Sequence, residues 1–153
     1  MLSKIMFKRR GIVAVLVGVA ILWLGHAAGA QNAAGGETFK GRLSTVPIDA
    51  AMMANIAGTG TLSAVLTGKQ LVVTGTFEGL RSPATTAQIH RGPKGIPGPA
   101  VLDLTVSKAV KGTVSGSVEL TPEQISDLKN DRLYVQIQSE RAPDGNLWGW
   151  LLR

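Results

Sequence analysis

The chain has 153 residues and a formal net charge of +6, from 16 lysines and arginines against ten aspartates and glutamates. Four of the cations lie in the first ten residues, so the remaining 12 nearly balance the anions. Scattered and nearly balanced charge lacks the basic stripe that nucleic-acid binding needs. The sequence contains no cysteine, which excludes a disulfide framework and a lipid-modified N-terminal cysteine.

The first thirty residues have the layout of a secretory signal peptide. A cationic start over residues 4–10 precedes an uncharged apolar run over residues 11–24, and Ala28-Gly29-Ala30 then supplies a small-residue cleavage site. The apolar run falls short of the ~20 residues that cross a bilayer. We therefore expect cleavage after Ala30 and export to the periplasm or the exterior. An uncleaved N-terminal single-helix membrane anchor is the alternative.

The remaining chain is long enough for one domain with its own core. Residues 31–37 are small and polar, and we expect a flexible lead-in there. The β domain then covers residues 38–153, with a first strand over residues 38–45. Residues 46–58 leave two alternatives open. They form either a helical turn capped by Asp49 or a connector that packs Met53 and Ile56 on the body of the domain.

Residues 59–80 alternate with a period near two and are rich in threonine, valine and leucine. Two such runs flank Thr67-Gly68-Lys69, a pattern that predicts an antiparallel hairpin. One face of this hairpin is predicted to be buried. Its side chains come from Leu62, Ala64, Leu66, Leu71, Val73, Gly75 and Phe77.

The centre of the sequence predicts a strand over residues 87–90, a loop rich in glycine and proline, and a second strand over residues 100–106. The loop holds three Gly-X-Y triplets, too few for a collagen triple helix. We therefore predict a rigid loop made of turns. A further strand follows over residues 111–120.

One short helix is predicted over residues 121–130. Thr121 and Gln124 form a capping box around Pro122 at the first helical position, and Leu120 and Ile125 form a hydrophobic staple. We predict that the polar face of this helix and the turn after it are exposed to solvent. They contain Asp127, Lys129 and Asp131.

The last part of the chain predicts a strand over residues 132–139, a turn at residues 142–145 and a closing strand over residues 146–152. In the first of these strands Leu133, Val135 and Ile137 point inward. Many short strands with glycine-rich turns and one helix predict an all-β antiparallel sandwich or barrel.

Three sets of side chains are candidates for a binding surface, because alternate residues of a strand share a face. If the faces coincide, they form a flat patch of aromatic rings and amides that suits a sugar ring, a peptide or a protein partner. The alternative is that both tryptophans are buried under residues 46–57. The candidates are Trp148 with Trp150, Gln88 with His90, and Tyr134 with Gln136 and Gln138.

His90 is the one histidine after the predicted cleavage site, and it is the candidate for metal binding. It has no histidine or cysteine partner, and one histidine with carboxylates such as Asp103, Glu140 or Asp144 is a weak metal pattern. The alternative is an imidazole bonded to the backbone of the following loop. No arrangement typical of a catalytic triad or a paired-carboxylate site is present, so we predict no catalytic residue and no cofactor.

The order of these segments resembles the CHRD domain, the chordin-type repeat of animal chordins and of many exported bacterial proteins. The similarity covers residues 39–152. The resemblance implies an immunoglobulin-like β-sandwich or barrel, sometimes compared with copper/zinc superoxide dismutase. Chordins are secreted antagonists of bone morphogenetic proteins, whereas single-domain exported bacterial members have no generally assigned activity. The matching stretches lie at residues 77–84, 89–90, 98–104, 112–113, 120–124, 133–135 and 143–145.

The family often has a His-x-His pair in its central strand and another histidine in the strand near residues 133–139. This chain has Gln88 and Gln138 at those positions, and amides are poor ligands for transition metals. We therefore expect an exported, non-enzymatic binding module whose partner is an extracytoplasmic protein, peptide or glycan. A copper or zinc domain centred on His90 and a purely structural envelope protein are the alternatives.

Overall fold

Alternation of apolar and polar residues produces eight strands. The computed structural model describes residues 35–153, so the predicted signal peptide and most of the lead-in lie outside the described residues. The elements in chain order are β1 (Glu37–Thr45), β2 (Thr59–Thr67), β3 (Gln70–Glu78), β4 (Ala84–Arg91), β5 (Ala100–Val106), β6 (Gly112–Glu119), α1 (Pro122–Lys129), β7 (Leu133–Ser139) and β8 (Ala142–Trp150).

The strands form a closed antiparallel barrel in the order β1-β2-β3-β6-β5-β4-β7-β8. Strand β8 closes the barrel against β1, where Ser44 pairs with Trp148. Two connections, from β3 to β4 and from β6 to β7, pass over strands that lie between their ends, as in Greek-key folds. The prediction of an all-β fold with one short helix is confirmed.

The core lies inside the barrel and consists of the alternate residues of each strand. The inner faces predicted for the β2–β3 hairpin and for β7 are confirmed. Gly75 also lies on this inner face, and its neighbours leave no room there for a side chain. A Cβ on Gly75 would lie 2.5 Å from the Thr61 carbonyl oxygen and 2.7 Å from a Leu62 methyl group. Large leucines on one strand are thus accommodated by glycines on the next.

Helix α1 begins as its sequence predicts. The Gln124 backbone N–H donates to Thr121 Oγ1 (3.2 Å), and the Thr121 N–H donates to Gln124 Oε1 (2.9 Å), which completes the capping box. Leu120 before the helix is buried. The solvated face predicted for the helix is wrong at Asp127, which is buried and faces Arg91 of β4.

Two strand boundaries differ from the prediction. Strand β4 starts at Ala84 and β8 at Ala142, so the β7–β8 turn falls before the residues where it was predicted. Pro143 is tolerated in β8 because the register of β7 and β8 is irregular there, so its missing N–H removes no regular ladder bond. The connector forms turns, and Asp49 caps them as one of the two alternatives predicted, since the Met52 N–H donates to Asp49 Oδ1 (3.0 Å). It buries Ile56 but leaves Met53 exposed.

Within residues 35–153, no helix has both the length and the apolar character needed to span a membrane.

Candidate functional site

The candidate residues meet on the outer surface of β4, β7 and β8. The strand register places His90, Tyr134 and Trp150 in one cross-strand row. A second row on the same face, two residues away along each strand, contains Gln88, Gln136 and Trp148. We call these two rows, six residues in all, the aromatic face. Residues directly opposite in an antiparallel pair are close enough for their side chains to touch.

The rings of the aromatic face pack on one another. Tyr134 lies between His90 and Trp150, with ring centroids 5.1 Å and 4.6 Å away and interplanar angles of 27° and 31°. Trp148 meets both neighbours edge-on, 5.9 Å from Tyr134 and 4.7 Å from Trp150. Offset-stacked and edge-to-face arrangements are the favoured ones for aromatic side chains, so the four rings form a rigid cluster.

Residues 92–99, which we call the covering loop, are held on this cluster by hydrogen bonds to three of its rings. His90 Nδ1 lies 2.8 Å from the Gly98 carbonyl oxygen, the Gly98 N–H donates to the Tyr134 hydroxyl (2.9 Å), and Trp150 Nε1 donates to the Gly92 carbonyl oxygen (3.0 Å). A residue with a Cβ would not fit at Gly98, because that atom would overlap the Arg91 carbonyl oxygen. The polar edge of each stacked ring is therefore bonded to the loop.

The aromatic face is consequently not a flat open patch. Tyr134 is fully buried, and His90 and Trp148 are each 8% exposed. The covering loop lies against the rings and is hydrogen-bonded to them. Residues 46–57, which were the predicted cover in the alternative, lie instead beside residues 141–145 of the β7–β8 hairpin. The structure brings six of the seven predicted residues together, and their role in binding stays a prediction. The seventh, Gln138, accepts a hydrogen bond from Thr86 farther along β7.

The amide side chains of the face are bonded locally. Gln88 Nε2 donates to Asp103 Oδ1 (2.8 Å), and Gln136 Nε2 donates to the Asp144 carbonyl oxygen (2.9 Å). Since an amide nitrogen has two hydrogens, each retains one donor. Gln88, which is half-buried, is the more accessible of the two.

His90 combines one bonded and one unbonded ring nitrogen. A carbonyl oxygen only accepts, so the bond to Gly98 assigns the proton to Nδ1. Nε2 is buried without a hydrogen-bond partner. Among residues 35–153 there is no group of three or more histidine, cysteine, aspartate or glutamate side chains placed to hold a metal ion. The geometry supports the predicted backbone-bonded imidazole.

An ion-pair cluster beside the covering loop was not predicted from the sequence. Arg91 is the last residue of β4. Its Nη1 lies 2.8 Å from Glu123 Oε1, and its Nε lies 2.7 Å from Asp127 Oδ2. The Glu123 carboxylate first, and Asp127 after it, hold the pKa of Arg91 above its usual value. The spacing of Glu123 and Asp127 places both on one helix face, which is the only sequence signal for this cluster.

The opposite side of the barrel has a different surface. A groove of about 670 Å³ there lies over hydroxyl side chains that face outward from β2, β3 and β6. Thr61, Thr76 and Thr113 line up across these strands. Threonines of this kind are typical of the solvated face of a half-buried sheet. The aromatic face is therefore the unusual part of the outer surface.

A sequence model of the CHRD domain family matches residues 42–151, a range that contains the whole aromatic face and the covering loop. No curated protein matches the chain, and no solved structure does.

Proposed function

Because the chain belongs to the CHRD domain family, we propose that it is an exported β-barrel module that binds another molecule and catalyses no reaction. Export is supported by the N-terminal sequence pattern. The binding surface that we favour is the covering loop together with the accessible parts of Trp150 and Gln88. The partner class is an extracytoplasmic protein, peptide or glycan.

One observation carries this proposal. The side chains of His90, Tyr134 and Trp150 bond the covering loop to the barrel, while the apolar tip of the loop stays in solvent. Ile96 is 57% exposed. Lys94 beside it pairs with Asp131 after the helix, 3.2 Å away. Binding residues are often carried on loops that a rigid scaffold positions. Preorganisation lowers the entropy that a loop loses on binding.

A different use of the aromatic cluster, as a metal centre at His90, receives less support. His90 Nε2 has no hydrogen-bond partner, but the residues of the adjacent row, Gln88 and Gln136, carry amides, which are weak ligands for transition metals. A purely structural role is the other alternative, and the experiment below separates it from binding.

Ile96→Asp tests the proposal, with Val72→Asp as the matched control. Val72 is 44% exposed on β3, on the other side of the barrel. The immobilised protein is presented with the extracytoplasmic fraction of the producing cells and, separately, with a glycan array. We expect a ligand that wild type and Val72→Asp retain and that Ile96→Asp retains about tenfold less, as for loss of a central apolar contact. A ligand retained equally by all three proteins would place binding away from the covering loop, and a ligand retained by none would support the structural role.

A further inference from the structure

The groove on the side of the barrel away from the aromatic face lies across strands whose outward residues are aligned. Its volume is about 670 Å³, and it is lined by the cross-strand row of Thr61, Thr76 and Thr113. Arg42 of β1 continues this row, since it pairs with Thr61. We call this surface the hydroxyl groove. The threonines alone are ordinary for a solvated sheet, so the charges and the bonding of the hydroxyls decide what the groove can bind.

Three charged side chains line the hydroxyl groove. Arg42 belongs to β1, Glu78 ends β3 and Lys111 directly precedes β6. All three are exposed, and among the described residues none of them forms an ion pair. The groove therefore has two cations against one anion. A guanidinium presents a planar fork of donors that matches a carboxylate, and an ammonium adds a point charge.

The hydroxyl groups of the groove retain hydrogen-bonding capacity for a ligand. Thr61 Oγ1 and Thr76 Oγ1 are 3.4 Å apart, and Thr113 Oγ1 is 3.3 Å from Ser107 Oγ. Hydroxyl hydrogen bonds of full strength are about 2.7–2.8 Å long, so these contacts are weak. Each hydroxyl can donate once and accept twice. Because sugar hydroxyls have the same capacity, a saccharide is a matching partner for this row.

The strands beneath the groove disfavour two other classes of ligand. Strands β2 and β3 are paired with neighbours on both sides, so they offer no open edge to a peptide strand. Within residues 35–153, Phe77 is the one aromatic residue that lines the groove, and it is only 3% exposed. A nucleic-acid base therefore finds no ring to stack on, and two cations are few for a phosphate backbone. Charge and hydroxyl contacts, rather than stacking, must select the ligand.

The two cations lie on opposite sides of the hydroxyl row. Arg42 is on β1 and Lys111 is at the start of β6, with β2 and β3 between them. Three strand spacings separate the two positions, roughly 14 Å along the sheet. A ligand that uses the whole groove is therefore elongated, with carboxylates toward its ends and hydroxyl groups between them. A short chain of uronic acid rings has this arrangement.

We propose that the hydroxyl groove binds an acidic oligosaccharide built of uronic acid sugars. Arg42 and Lys111 bind its carboxylates, and the threonine row exchanges hydrogen bonds with its hydroxyl groups. Glu78 accepts a hydrogen bond from a sugar hydroxyl, as an ionised carboxylate can. This site is distinct from the covering loop, so the inference does not depend on the function proposed above.

The test titrates the full chain with a trisaccharide of galacturonic acid, and the methyl ester of the same trisaccharide is the uncharged control. We expect saturable binding of the acid form, with NMR amide shifts concentrated in residues 59–61, 76–78 and 111–113. The ester should bind about tenfold more weakly, because two charge contacts become neutral ones. Added salt should weaken binding of the acid form and leave binding of the ester unchanged.

Arg42→Gln and Lys111→Gln together should weaken binding of the acid form about tenfold, whereas Lys69→Gln should leave it unchanged. Lys69 loses the same charge in the turn between β2 and β3, at the other end of these strands from the groove. Equal weakening by Lys69→Gln would indicate attraction by net charge and overturn the proposal. Equal affinity for acid and ester would overturn the assignment of an acidic sugar. Absence of saturable binding, or amide shifts at residues 92–99 instead, would overturn the groove as the site.

Discussion

Tyr134 is the residue on which the aromatic face depends. Its ring lies between His90 and Trp150, and its hydroxyl accepts from the Gly98 N–H and donates to the Gly98 carbonyl oxygen. Full burial of a tyrosine requires a partner for its hydroxyl. The covering loop supplies that partner, so the loop conformation and the burial of the ring depend on each other.

We expect Tyr134→Phe to lower the free energy of unfolding by about 1–2 kcal/mol, because the ring packing stays while the Gly98 N–H loses its acceptor in a covered site. Urea denaturation at neutral pH measures the change. Thr76→Val, at an exposed position with one weak hydroxyl contact, is the control and should change stability by less than ~0.5 kcal/mol. A Tyr134→Phe protein as stable as wild type would mean that the loop is not held by this bond.

At the scale of elements, helix α1 connects the barrel to the covering loop. Glu123 and Asp127 of the helix both meet Arg91, which directly precedes the loop, and Lys94 of the loop meets Asp131 after the helix. Exposed ion pairs contribute little individually, but Asp127 is buried, and a buried charge needs its partner. The helix therefore helps to fix the first part of the loop.

Thr121→Ala removes the side-chain acceptor of the capping box. We expect a loss of about 1 kcal/mol in unfolding free energy, the usual cost of losing a threonine cap. Thr121→Ser keeps the hydroxyl and should remain within ~0.5 kcal/mol of wild type. Thermal and urea unfolding followed by circular dichroism provide the comparison. Equal losses in both variants would show that the threonine methyl group, and not the cap, stabilises the helix start.

At the scale of the whole molecule, Glu37 at the start of β1 joins distant parts of the chain. It pairs with Lys129 at the end of α1 and with Arg153 at the C-terminus, both at 2.6 Å. The hydrogen bond from Lys129, followed by the charges of Lys129 and Arg153, lowers the pKa of Glu37 below its usual value. The pairs are solvent-exposed, so salt is expected to weaken them.

A lowered pKa in the folded state means that the unfolded chain takes up the proton first as the pH falls. The stabilisation by Glu37 is therefore complete above the usual glutamate pKa of about 4.3 and is lost as the pH falls through the lower folded value. We expect wild type to be more stable than Glu37→Gln at neutral pH and the difference to vanish in acid. Urea midpoints of both proteins from pH 7 to below pH 3, at low and high salt, measure this. A difference that persists in acid would show that Glu37 acts through packing.

The sequence by itself determined which segments form strands and the helix, and which face of each strand is buried. Alternation of apolar residues in stretches such as Leu62–Ala64–Leu66 defines both a strand and its buried face, because the side-chain period of a strand is fixed at two. The capping box at Thr121 and Gln124 is equally local, since its partners are three residues apart. The same parity argument placed Trp148 with Trp150 and Gln88 with His90 on shared faces.

Only the tertiary structure decided which faces coincide and what covers them. Strand order brings β4 beside β7 and β8 through connections that cross other strands, and no local pattern encodes that order. The Gly98 contacts with His90 and Tyr134 join residues that are eight and 36 positions apart. The burial of Asp127 depends in the same way on Arg91 from another element. The short ladders of β5 with β6 and of β1 with β8, two residue pairs each, likewise depend on how all eight strands close into one barrel.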